Sequence, residues 1–157
     1  MPITLRPYTP ADAVPTWQVY YAAVRRTAAR DYTEEQVRAW APDEVDAEEW
    51  AARRAAANTW VACVNDEVAG FSDFTADGVL DMLFVHPGHG GHGIARLLVE
   101  KIQHEAAAHG LTHLVTHASR TARPAFEALG FTVTRENPAN QIRGVLIPNY
   151  DMHYNLS

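Results

Sequence analysis

The sequence predicts a mixed α/β domain, antiparallel in its first strands and partly parallel in its later ones. Three observations predict it. An apolar run, Val79 to Val85, closes at Pro87, passes through a loop holding Gly88, Gly90, Gly91 and Gly93, and opens a helix with Ile94, Leu97, Leu98 and Ile102 on one face. Upstream, Asn65-Asp66-Glu67 and Asp77-Gly78 join short apolar runs as hairpin turns, so those strands are antiparallel. Downstream, a helix-length crossover separates the glycine-loop strand from His113–His117, which makes that pair parallel.

In chain order, Ile3 to Arg6 reads as a first strand. Thr9 then caps a helix with Pro10 at its first position and Asp12 at its third. Val14, Trp17, Tyr21, Val24 and Ala28 form its expected buried stripe. Thr33-Glu34-Glu35-Gln36 is a capping box for a second helix that ends near Trp40. Asp46 caps a third, running to about Ala57 with Asn58 as its stop. The strands Thr59–Val64, Val68–Thr75 and Val79–Val85 follow, then the main helix from Ile94 to about His109, which Gly110 ends. After His113–His117, a second crossover helix spans Ser119–Leu129, with Pro124 confined to its first turn. Phe131–Glu136 is the next strand. Val145–Tyr154 is the last, interrupted at Pro148.

The chain of 157 residues suits one domain, spanning 1–157. A formal net charge of -6 argues against nucleic acid or an anionic membrane as partner. No apolar run approaches the roughly 18 residues of a membrane-crossing helix, and Met1 to Arg6 has no signal-peptide pattern. The single cysteine, Cys63, reads as a buried apolar residue of a cytoplasmic protein.

The glycine loop is built to hold an anion. Unpaired N–H groups of the first helical turn and the positive end of the helix dipole both favour phosphate there. The loop lacks a Gly-Lys-Ser/Thr ending, and its glycines are out of frame for a dinucleotide fold. It resembles motif A of the GNAT superfamily of N-acetyltransferases, Gln/Arg-x-x-Gly-x-Gly/Ala after a strand ending in Val-x-Pro. Val85-His86-Pro87 matches the strand end and Gly93-Ile94-Ala95 the second half, while Gly90 stands where Gln or Arg is usual. Ala128-Leu129-Gly130-Phe131 also matches the family's last helix end, so the likeness extends along the whole element order.

That resemblance implies a mixed sheet with two splayed strands and acetyl-CoA between them. It implies cofactor contacts at Leu83, Phe84, Val85, Gly90, Gly91, His92, Gly93, Ile94, Ala95, Arg96, Ser119 and Phe126. It further implies direct attack of a substrate amine on the thioester, with no acyl-enzyme. Asp81, at even spacing from Leu83 and Val85, shares their face in a regular strand and is the expected base, with Asp73 on the preceding strand as a second candidate. Where many members carry a proton-donating tyrosine, this chain has Phe126, and Tyr150 and Tyr154 on the last strand and Tyr32 after the first helix are substitutes by position. Tyr21, Tyr32, Trp40, Asp73 and His117 are the expected acceptor-site residues. The acceptor is an amine of a small molecule, peptide or protein, and the assembly a monomer or homodimer. A non-catalytic acyl-CoA-binding module is the alternative. His86, His89 and His92 have metal-ligand spacing, but no Cys or carboxylate joins them, so no metal is expected. His89 and His92 are expected to stand in for basic residues beside the phosphates, tightening cofactor binding below about pH 6.5.

Overall fold

The computed structural model describes residues 2–157; Met1, the first residue of the N-terminal reading, lies outside them. Strand β1 (Ile3–Pro7) leads into a 3-10 turn and α1 (Ala13–Ala22). Helices α2 (Glu34–Trp40) and α3 (Ala47–Ala56) precede the meander β2 (Asn58–Val64), β3 (Glu67–Phe74) and β4 (Val79–Val85). Then come α4 (Ile94–Ala108), β5 (His113–Ser119), α5 (Arg123–Ala128) and β6 (Thr132–Asn137). A small hairpin, β7 (Gln141–Ile142) and β8 (Val145–Leu146), precedes β9 (Asn149–Asn155).

Seven strands form one sheet in the order β1-β2-β3-β4-β5-β9-β6. Neighbours run antiparallel except β4 and β5. Helix α4 covers one face. Its Ile94 and Leu98 pack on Ala62, Val64 and Ala69. Gly70 permits that approach, because a Cβ there would lie 3.0 Å from the Phe84 carbonyl and 3.2 Å from the Ile94 and Leu98 side chains. The opposite face carries α1 to α3 over Val61, Phe71 and Phe84, with Trp17, Tyr20 and Trp50 in mutual ring contact.

The expected caps form. Thr33 and Gln36 exchange hydrogen bonds, and the Asp46 carboxylate accepts the Glu49 N–H at 3.1 Å. Three expectations change. Of the stripe expected on the first helix, Val24 and Ala28 are buried but Val14 is 62% exposed, and Thr16, Val19 and Tyr20 of α1 are buried instead. The segment is apolar nearly all round, so periodicity does not select a face, and a wide π-type turn over Ala23–Thr27 shifts its phase. The second crossover helix begins only at Arg123, because β5 runs on to Ser119. The last strand divides at Pro148 into β8 and β9, and Arg143 and Gly144, both at positive φ, turn the β7–β8 hairpin.

Candidate functional site

The site arises where the sheet comes apart. β4 and β5 pair only at Val79–Val115 and Leu80–Thr116. The Thr116 hydroxyl closes that ladder by donating to the Leu80 carbonyl at 2.7 Å. Beyond it the strands diverge. Main-chain groups of β4 that face the gap have no strand partner and are available to a ligand. A cleft of about 150 Å³ runs through the opening, lined by Trp40, Leu83, Phe84, Val85, Ala95 and Ser119. Its wall is mostly apolar, which suits an extended arm with amide groups at fixed positions.

At one end of this cleft lies the α4 N-terminus. Gly93, at φ +76, is its N-cap, and no side chain caps the helix. The first bond along the helix comes from the Leu97 N–H to the Gly93 carbonyl at 3.1 Å. The N–H groups of Ile94, Ala95 and Arg96 therefore have no partner within the helix. Gly91 also has positive φ, +81, whereas Gly90 does not, with φ -65 and ψ 154. The motif departure at Gly90 thus demands no special backbone conformation. His92 and Arg96 are exposed beside this turn.

The histidine loop is tied internally. The His86 Nδ1 accepts the Gly88 N–H at 3.0 Å, and its Nε2 lies 3.3 Å from the Arg26 guanidinium. Burial, with Arg26 and His89 nearby, pushes the His86 pKa down. Among the described residues, no three His, Cys, Asp or Glu side chains gather as a metal-ligand group.

A second cleft, of about 200 Å³, opens on the other side of the splay and shares Trp40, Phe84 and Ser119 with the first. Tyr20, Tyr32, Asp81, His117, Asn140 and Asn149 line it. Asp81 does not share the face of Leu83 and Val85. Ser72 pairs with Leu83 and Phe74 with Leu80, so Asp73 alone lies opposite Asp81 and Met82. This β-bulge breaks the alternation and turns Asp81 into the second cleft. Two buried side chains fasten the bulge. The Asp73 carboxylate accepts the Met82 N–H at 2.9 Å, and the Ser72 hydroxyl donates to the Met82 carbonyl at 2.7 Å.

Asp73 is therefore not an acceptor-site residue: it is fully buried, with the equally buried Arg54 guanidinium 3.6 Å away. Burial pushes its pKa up to about 7; Arg54 opposes that shift and Asp81 adds to it. Arg54 also lies 4.0 Å from the half-exposed Asp81 and stacks over Trp50 at 4.4 Å. Periodicity gives no reason to single out Arg54, one of two adjacent arginines on an alanine-rich helix.

Other expected site residues are placed elsewhere. Phe126 is a core residue, 2% exposed and edge-on to Phe131, so it does not line the cofactor cleft. Tyr150 lies on the α4–α5 side of β9 with the Arg123 guanidinium 4.5 Å over its ring, and lines neither cleft. Tyr21 bonds Asp43 at the outer end of α1 and lies outside both clefts. Ser119 lines both, and its hydroxyl accepts the Ala122 N–H at 3.0 Å, which caps the turn into α5.

Tyr32 joins three segments around the second cleft. Its hydroxyl donates to the Pro148 carbonyl at 2.6 Å and accepts the Arg120 N–H at 2.9 Å. Burial pushes its pKa up. We expect Tyr32→Phe to cost about 1–3 kcal/mol, because both backbone groups lose their partner. Urea unfolding of parent and variant measures this, and an unchanged midpoint would contradict it.

Fold and clefts together are those of the GNAT class. The chain matches the acetyltransferase (GNAT) domain over residues 28–153 and belongs to that family. It is 31% identical over 152 residues to the uncharacterized N-acetyltransferase YafP of Escherichia coli K12, covering 97% of this chain and 95% of that one. A GCN5-related N-acetyltransferase from Rhodopseudomonas palustris superposes with a TM-score of 0.93 at 31% identity, over 99% of this chain and 96% of that one. At 24% identity, yncA from Salmonella typhimurium, solved with its cofactor acetyl-CoA, shares the fold with a TM-score of 0.77, over 100% of this chain and 95% of that one.

Proposed function

We propose that this chain transfers the acetyl group of acetyl-CoA directly to a primary amine. The observation that carries this reading is the break in the β4–β5 ladder beyond Leu80 and Thr116, placed beside the uncapped N-terminus of α4. In this reading the backbone N–H groups of Gly91 to Arg96 hold the pyrophosphate, and the free main-chain groups of Leu83 and Val85 hold the pantetheine arm. Bound acetyl-CoA supplies a thioester whose carbonyl carbon the amine nitrogen attacks; the C–N bond forms, the C–S bond breaks and the thiol leaves. The chain contributes positioning in the shared opening between the clefts, where Trp40, Phe84 and Ser119 border both reactants. Asp81 supplies a carboxylate on the acceptor side, and the net charge of -6 suits a cationic acceptor, small molecule or peptide. A cytoplasmic location, where acetyl-CoA is available, completes the reading, and the buried free thiol of Cys63 is compatible with it.

A second reading, a non-catalytic acyl-CoA-binding module, draws on the tyrosines. Tyr20 donates its hydroxyl proton to the Trp40 carbonyl and Tyr32 to Pro148, so neither is free to protonate a thiolate. Thiol release from acetyl-CoA across a panel of small amines, polyamines and lysine or N-terminal peptides separates the two. Amine-dependent release with acetylated product supports the transferase. Cofactor binding without release from any amine supports the module.

A further inference from the structure

A side-chain pair joins β5 and β9 beside the acceptor cleft. His117 and Asp151 are directly opposed across these strands. The His117 Nδ1 lies 2.7 Å from the Asp151 carboxylate. Asn137 on β6 donates to the same carboxylate oxygen at 2.8 Å and to Asn149 at 3.0 Å, which fixes the acceptor in place. Burial alone would raise the Asp151 pKa, but the bonds from His117 and Asn137 outweigh it and hold the carboxyl below its usual range. A carboxylate on Nδ1 selects the tautomer with the proton there, which leaves Nε2 as an open acceptor. The ring lines the second cleft, as Asp81 does, and is 58% exposed.

We propose that His117, oriented by Asp151 and Asn137, is the general base that deprotonates the acceptor ammonium. This rests on the acetyltransferase reading. Asp81 then has a different task, to hold the ammonium by charge. The proton balance is simple. His117 Nε2 takes one proton from R–NH3+, the amine attacks, the second proton of the new amide nitrogen ends on the departing sulfur, and His117 returns its proton to solvent. A general base works best when its pKa lies near the operating pH, and imidazole as a group meets that condition better than a carboxylate.

Several charged and titratable groups face His117. Asp81 lines the same cleft from β4, Asp151 pairs with it from β9, where His153 lies opposite Val115, and Arg135, the pairing partner of Asp151, stands on β6. Tyr20 and Tyr32 border the same cleft, and His113 lies two residues pairs along its own strand, bonded to His153 at 2.8 Å. Asp73, whose pKa burial pushes up to about 7, is sealed behind the bulge and lines neither cleft.

The test compares kcat/KM against pH for the full chain and its variants, with an amine from the screen, beside acetyl-CoA binding by calorimetry. His117→Gln is expected to lower kcat/KM about 100- to 1,000-fold, abolish the acid limb and leave acetyl-CoA affinity unchanged. Added imidazole is expected to restore part of the rate of His117→Ala. Asp151→Asn tests the positioning role: kcat is expected to fall with KM unchanged and with a displaced limb. His113→Gln, outside the cleft on the same sheet face, is expected to keep the parental profile. A limb that persists in His117→Gln, as it would if Asp73 or Asp81 were its source, overturns the base. A rate within threefold of the parent does the same. Failure of the parent chain to acetylate any amine overturns the acetyltransferase reading, and the base with it.

Discussion

Replacing Gly93 with proline is expected to weaken acetyl-CoA binding by at least about 100-fold, a loss near 2.7 kcal/mol. Gly93 holds φ +76 at the N-cap of α4. Proline is locked near φ -65 and has no N–H, so it cannot take this conformation and it removes a phosphate donor. The turn must then move, and the N–H groups of Ile94 to Arg96 no longer converge on one anion. A β-carbon on Gly93 would meet nothing within 4 Å, so Gly93→Ala isolates conformation from space. That variant is expected to show a smaller loss, the roughly 1–2 kcal/mol cost of a left-handed residue with a side chain. Calorimetric titration of both variants, with circular dichroism as a check on folding, measures the effect. Equal affinity in parent and proline variant would remove the loop from the cofactor site.

The second large effect is expected from Arg54→Leu. Arg54 and Asp73 are 2% and 0% exposed, so neither charge is answered by water. Removing one partner of a buried pair costs about 3–5 kcal/mol, because the other charge is left alone. The pH dependence follows from the raised pKa of Asp73, about 7 against an ordinary 3.8. A group raised in the folded state contributes stability that is full below its unfolded pKa and lost as pH rises through its folded pKa. Without Arg54 the carboxyl rises further, so the loss continues to higher pH. Urea unfolding is therefore expected to show a large deficit for Arg54→Leu at about pH 8 and a much smaller one at about pH 5, where Asp73 carries its proton in both proteins. An equal deficit at both values would show that the lost Trp50 stacking, and not the ion pair, sets the cost. Because Asp73 also holds the Met82 N–H, the variant is expected to disturb the bulge that turns Asp81 into the acceptor cleft.

What could be read in the sequence was local. The strand Val79–Val85 appears at its expected bounds, as do the start of α4 and the caps at Thr33 and Asp46, because each depends on residues within a few positions of each other. The antiparallel-then-parallel order was legible for the same reason, since turn and crossover lengths are local quantities. The buried face of α1 was not, because its apolar residues surround the helix and tertiary packing chose among them. The bulge at Asp81 and Met82 was hidden as well. Even spacing along a strand assumes regular pairing, and only Asp73 on the neighbouring strand reveals the extra residue. Phe126 and Tyr150 were assigned by position in the resemblance, whereas packing places one in the core and the other under Arg123. The His117–Asp151 pair joins residues 34 positions apart through strand register. No spacing rule points to it until β9 is known to lie between β5 and β6.

Cofactor binding is the claim on which the rest depends. Calorimetric titration of the full chain with acetyl-CoA, beside CoA, ATP and NAD, tests it most directly. Micromolar binding of acetyl-CoA and CoA is expected at one site per chain, far tighter than ATP or NAD, and lost in Gly93→Pro. Absence of heat with every CoA species, from folded protein, would contradict it and leave the β4–β5 opening without its proposed ligand.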